Sequence, residues 1–199
     1  MKKIFLLLIC FLVIDSVNAQ KNVIVDTFED NSYGWTENGN RKAKSYISDG
    51  ALYLKVKKDH RVTSWAQLPV DYNENFKVTY KIKLHKKTIF KFIKLNKVLS
   101  NRFNMLFDLR DNGEYKVLGV EGGKQYFIDA GKEETAKFNF GKTTDYELQI
   151  VKRGSSMDFI INGIEFSTVR NVEVNSNWFG INFGKIGGLL SLEEVIIEQ

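Results

Sequence analysis

Apolar and polar residues alternate with period two through most of this chain. The clearest run is Phe76-Lys77-Val78-Thr79-Tyr80-Lys81-Ile82-Lys83-Leu84, whose even positions are apolar and whose odd positions are Lys or Thr. A strand sends successive side chains to opposite faces, so this run predicts a strand that buries Phe76, Val78, Tyr80, Ile82 and Leu84. Leu52, Leu54 and Val56 repeat the pattern with Lys55 and Lys57 outward, followed by Phe103 to Leu109 and Tyr146 to Ile150. Further strands are predicted at 23–28, 61–67, 115–120, 125–130, 135–140, 157–161, 164–168, 178–183 and 192–198.

Turn residues separate these runs. Asn162-Gly163 stands between Asp158-Phe159-Ile160-Ile161 and Ile164-Glu165-Phe166. Both residues tolerate positive φ, which predicts a two-residue hairpin. Asp111-Asn112-Gly113, Gly122-Gly123, Arg153-Gly154-Ser155 and Asp49-Gly50 mark further turns. Strands recurring about every ten residues fit a sandwich or barrel. No sustained helical stripe, internal repeat or low-complexity linker appears.

One stretch breaks the rhythm. Between Asn75 and Phe107 there is no acidic residue, yet Lys77, Lys81, Lys83, Lys86, Lys87, Lys91, Lys94, Lys97 and Arg102 fall there. Their simplest role is to solvate a sheet face and guard an edge. The alternative is a basic surface at 77–102 for an acidic polymer or an envelope.

Met1-Lys2-Lys3, the apolar run Ile4 to Ile14 and the site Val17-Asn18-Ala19 have the three parts of a secretory signal peptide. The expected organisation is a signal peptide over 1–19 and one β-sandwich domain over 20–199, secreted or periplasmic after cleavage near Ala19. Cys10 is the only cysteine. Ile9 is too bulky to precede a lipidated cysteine, and the domain would carry no disulfide. With Lys2, Lys3 and Asp15 removed, 27 basic and 23 acidic residues remain. That balance does not point to nucleic acid, and no later apolar run reaches membrane-spanning length.

Asp26-Thr27-Phe28-Glu29-Asp30-Asn31 followed by Gly34-Trp35 resembles the opening of secreted bacterial domains of the concanavalin A-like lectin/glucanase superfamily. Asp49-Gly50-Ala51-Leu52 is similar to the strand that follows there. Tyr146 to Ile150, then Met157 to Gly163, resemble a laminin-G-like hairpin closing on Asn-Gly. Phe179-Gly180-Ile181 and Leu192 to Ile197 match the closing strands. The resemblance implies an all-β jelly-roll sandwich of two antiparallel sheets, with one face often concave and used for glycans. Fold alone does not fix function.

Glycanases of that superfamily typically carry a Glu-x-Asp-x-x-Glu strand, whose alternate carboxylates flank the glycosidic bond. Glu193-Glu194-Val195-Ile196-Ile197-Glu198 lacks the Asp, Asp108-Leu109-Arg110-Asp111 leads into a turn, and Glu133-Glu134 reads as a loop. No catalytic residues are assigned. His60 and His85, the only histidines, lack zinc-ligand spacing. Loops of the superfamily often hold calcium, and Asp26, Asp30 and Asn31 offer oxygen donors. No spaced Asp-x-Asp-x-Asp run accompanies them, so no cofactor or metal is expected.

Aromatic rings stack on sugar rings, and the candidates are Trp35, Trp65, Tyr72 and Trp178. Core packing is the simpler role for Trp35 and Trp178. Trp65, within Thr63-Ser64-Trp65-Ala66-Gln67, has polar neighbours on both sides. Arg61, Asn104 and Arg110 are polar partners if they share its face. The expected ligand-binding set is Trp65, Arg61, Asn104, Arg110 and Trp178. The leading expectation is a secreted, non-catalytic domain for a glycan or another extracellular ligand. An atypical glycoside hydrolase or polysaccharide lyase is the alternative, with an envelope protein using the lysine-rich surface as the third.

Overall fold

The computed structural model describes residues 22–85, 92–100, 103–110, 112–132, 144–184 and 187–199. The leader, the expected strand 135–140, Lys86, Lys87, Lys91 and Arg102 lie outside these residues. Among the described residues there are strands and no helix, arranged in two antiparallel sheets.

The larger sheet has nine strands. Its spine is β15 (Gly188–Glu198), which pairs with β6 (Phe76–Leu84) along one edge. Along the other edge β15 takes β4 (Ala51–Val56) and then β1 (Val23–Asp26), so the last strand returns beside the first. From β6 the sheet continues through β11 (Thr144–Arg153), β12 (Ser156–Ile161) and β13 (Ile164–Val169). From β4 it continues through β3 (Ala43–Ser48) and β2 (Asn38–Gly39). The smaller sheet orders six strands as β10 (Lys124–Lys132), β9 (Glu114–Glu121), β8 (Phe103–Arg110), β7 (Phe92–Val98), β14 (Trp178–Gly184) and β5 (Arg61–Gln67).

Alternation decides which side chains meet between the sheets. Phe76, Val78, Tyr80, Ile82 and Leu84 are all buried, as the pattern predicts. They face Phe179, Ile181, Phe183, Leu95 and Phe107 of the other layer. Phe107 stacks on Phe159 at 4.8 Å, and Phe76 meets Phe179 edge-on at 5.8 Å, so aromatic pairs tie one sheet to the other. The Asn162-Gly163 hairpin has φ of 49° and 79°, the left-handed pair that a tight primed turn requires.

The Asp-x-Phe…Trp opening has a structural cause. Asp26 accepts from the Trp35 indole Nε1–H at 2.8 Å and from the Phe28 amide at 3.0 Å. Asn31 Oδ1 accepts from the Trp35 amide, and Asp30 Oδ1 from the Ser32 amide. The three oxygen donors considered for calcium thus hold the loop that plugs Trp35 into the core. The first strand stops at Asp26 rather than 28, because Phe28 takes a left-handed φ of 57° to turn inward.

The lysine-rich stretch divides by strand. Lys77, Lys81 and Lys83 line the outer face of the nine-stranded sheet, where Glu198, Glu194 and Asp145 pair with them. Lys94 pairs with Asp108 on the outer face of the six-stranded sheet. Lys97 points inward, and its Nζ donates to the carbonyls of Val98 and Ser176. Of the five described lysines in the stretch, four thus pair with a carboxylate and the fifth is buried.

Candidate functional site

The outer face of the six-stranded sheet is built from the residues that alternate with its core positions. On β5 these are Arg61, Thr63, Trp65 and Gln67, opposite Gly184, Asn182, Gly180 and Trp178 of β14. All five residues expected to bind ligand, Trp65, Arg61, Asn104, Arg110 and Trp178, stand on this one face. Trp178 is 44% exposed, so it does not take the core-packing role weighed against binding; its strand begins there, and Phe179 takes the buried position. Trp35, by contrast, is buried.

Trp65 lies flat on the sheet because nothing opposes it. A Cβ on Gly180 would stand 2.4 Å from the Trp65 ring, so only glycine leaves room for the indole. The Trp65 backbone is fixed from the other side, where its carbonyl accepts from the Thr36 amide at 2.8 Å. From Trp65 and Gly180 the row continues across the strands to Asn96, Leu106, Leu118 and Phe127. Phe127 is 64% exposed, so exposed or half-exposed rings end the row on both sides of an amide and two aliphatic side chains.

The next row is polar and crowded. It runs Thr63, Asn182, Lys94, Asp108, Lys116. Asn182 Nδ2 donates to Thr63 Oγ1 at 2.7 Å, and Lys94 Nζ meets Asp108 Oδ2 at 3.0 Å. Two acceptors in this row, Asp108 Oδ1 and Asn182 Oδ1, are buried and have no hydrogen-bond partner among the described residues. A buried acceptor without a donor costs about 1–3 kcal/mol. Sequence reasoning missed this row. β8 ends at Arg110, ahead of the expected turn, but Asp108 stands out in sequence only as a candidate catalytic carboxylate. The parity of Thr63 with Trp65, and of Asn182 with Gly180, is the signal that could have found it.

Not every expected residue joins the centre. Arg61 and Arg110 share a row at one end, three strands apart, or about 14 Å at ordinary strand spacing. Arg110 is held by Glu114 at 3.4 Å. Asn104 sits at the other end, opposite Val98 and Val120. The face has two described carboxylates, Asp108 and Glu114, and each faces a cation. Among the described residues, no three His, Cys, Asp or Glu side chains gather as a metal site. No described helix is long and apolar enough to cross a membrane.

No protein-family model matches this chain, and no curated protein matches it in sequence. Solved structures do match it in shape. The β-glucanase of Bacillus licheniformis is 8% identical, with a TM-score of 0.60 over 88% of this chain and 97% of the enzyme. A Bacillus subtilis protein with a galectin-like fold is 11% identical, at a TM-score of 0.58 over 87% and 94%. The carbohydrate-binding module CBM66 of Bacillus subtilis is 13% identical, at 0.54 over 83% and 92%. The chain has the concanavalin A-like jelly-roll fold: all-β, in two antiparallel sheets.

Proposed function

We propose that this is an exported, non-catalytic carbohydrate-binding protein whose glycan lies across the outer face of the six-stranded sheet. The observation that carries this reading is the Trp65 ring, laid flat over Gly180 beside a row of amide, hydroxyl and charged side chains. A sugar presents an apolar ring face and a rim of hydroxyls. Trp65 and Trp178 offer surface to the first, and the exposed Arg61 and Gln67 and half-buried Thr63 of the same face offer hydrogen-bonding groups to the second. The carbohydrate-binding role printed for CBM66, on the same fold, supports the choice of ligand class. Export rests on the leader pattern at 1–19.

A hydrolase on this face would need two carboxylates flanking one bond, about 5–5.5 Å apart in a retaining enzyme. Asp108 and Glu114 are instead tied to Lys94 and Arg110, which favours binding over turnover. The test is retention on a panel of immobilised neutral polysaccharides, with product release assayed in parallel. At least one polysaccharide is expected to retain the protein, and Trp65→Ala to weaken that binding by about tenfold or more, the worth of one aromatic stacking contact. Folded protein that binds none of the panel, or that releases sugar from it, overturns the proposal.

A further inference from the structure

The outer face of the nine-stranded sheet follows one rule until it reaches β3 and β4. On β6, each outward lysine has an acid beside it on β15 or β11. On β3 and β4 the rule reverses, for Lys44 stands directly opposite Lys55. Like charges at that position repel and destabilise the pairing. Just beyond the pair, the Lys57 amide donates to the Lys42 carbonyl at 2.7 Å, bringing two more lysines to the same end of the strands. Arg41 completes the group. These five cations line a surface cavity of about 540 Å³ to which no acid contributes among the described residues. None of the five has a carboxylate within 4.0 Å among the described residues.

The array is held in place rather than trailing. Asn40 Oδ1 accepts from the Lys42 amide at 2.8 Å, and the Asn40 amide donates to the Ala43 carbonyl, closing the turn that carries Arg41 and Lys42. Gly39 takes a φ of 121°, and a Cβ there would stand 2.1 Å from the Ala43 carbonyl oxygen, so the turn tolerates no other residue. In the next row of the same face, Tyr46 and Tyr53 stack at 5.2 Å, and Lys44 Nζ sits 4.2 Å from the Tyr46 ring centre.

We propose that this cavity is a second binding site, on the opposite sheet from Trp65, for an acidic polysaccharide bearing sulfate or carboxylate groups. The anion rests on the uncompensated charge array. The sugar polymer rests on the carbohydrate reading above and on the tyrosine pair, which gives a sugar ring a surface beside the cations. The repulsion between Lys44 and Lys55 persists in the free protein and is relieved when an anion bridges them.

The experiment measures binding of full-length protein to dextran sulfate, polygalacturonate, neutral dextran, duplex DNA and anionic phosphatidylserine vesicles across a salt series. One or both acidic polysaccharides are expected to bind, neutral dextran not, with affinity falling steeply as salt rises. Lys44→Gln with Lys55→Gln is expected to lower that affinity by about tenfold or more, while raising Tm by about 1–2 °C through relief of the repulsion. Lys81→Gln, on the compensated part of the face, serves as the matched control and is expected to change affinity by less than about twofold. Trp65→Ala is expected to leave acidic-polymer binding intact, which separates this site from the first. No binding to either acidic polymer overturns the proposal, as does tighter binding to DNA or vesicles, or a double variant that binds like wild type.

Discussion

The two outer faces of this sandwich are made by the same alternation, yet they treat lysine differently. On the nine-stranded sheet, Lys77, Lys81 and Lys83 are 34%, 45% and 37% exposed beside their acids. Such pairs sit in high dielectric and add little to stability. On the six-stranded sheet, Lys94 is 19% exposed and its partner Asp108 only 9%. There the same chemical pair is partly withdrawn from water, within a face that also carries two tryptophans and a row of aliphatic side chains. A period-two pattern states which face a residue takes. It does not state whether that face is wet, because wetness depends on the neighbouring strands.

The largest effect expected from this contrast comes from breaking the drier pair. Lys94→Met leaves the Asp108 carboxylate buried without its cation, and removing one partner of a buried pair costs about 3 kcal/mol or more. Urea unfolding should show that loss. A cost under about 1 kcal/mol would mean that the two faces are equally hydrated.

Lys97 extends the contrast to the inner face. Burial lowers its pKa from 10.5 to about 7, although its Nζ lies 4.2 Å from the Phe179 ring centre and donates to backbone carbonyls. Between these two pKa values the unfolded chain holds the proton more tightly than the folded one, so stability rises with pH. Below pH 7 both states are protonated and the penalty is complete; as pH climbs toward 10.5 it disappears. Urea unfolding at pH 7, 8 and 9 should show stability rising by about 2 kcal/mol in total, at up to 1.36 kcal/mol per unit. Lys97→Met should flatten that slope. A wild-type protein with no slope would place the ammonium in a better-compensated site than its burial implies.

Lys97 also explains why β7 was hard to read. Its inward positions are Ile93, Leu95 and Lys97, and a lysine there conceals the alternation. β3 hides in the same way, since its inward Ser45 is polar and satisfied by the Thr36 carbonyl. The last strand begins at Gly188 rather than 192 because a register shift between Leu192 and Glu194 changes which parity faces the core. Where no such device intervenes, as in β5 and β6, the boundaries 61–67 and 76–84 could be read from sequence to the residue. For the candidate site, the sequence named Trp65, Arg61, Asn104, Arg110 and Trp178, but alternation within single strands could not establish that they share a face. It could not give the order of strands, which sets β14 and β7 between β5 and β8 and makes Asn182, Asn96 and Lys94 the centre.

The smallest effect tests the wetter face. Lys81 Nζ meets Glu194 Oε2 at 2.7 Å across adjacent strands. A double-mutant cycle through Lys81→Met and Glu194→Gln should return a coupling of about 0.2–1 kcal/mol, which shrinks as salt is added. Short distance alone would suggest more, but both groups remain hydrated, and holding two flexible side chains together costs entropy. The buried pair should behave otherwise: Lys94→Met should keep its cost at high salt, because added ions have little access to Asp108. If the Lys81–Glu194 coupling instead matched the cost of Lys94→Met and resisted salt, distance rather than burial would govern both faces. The crowded character assigned to the Trp65 side would then lose its support.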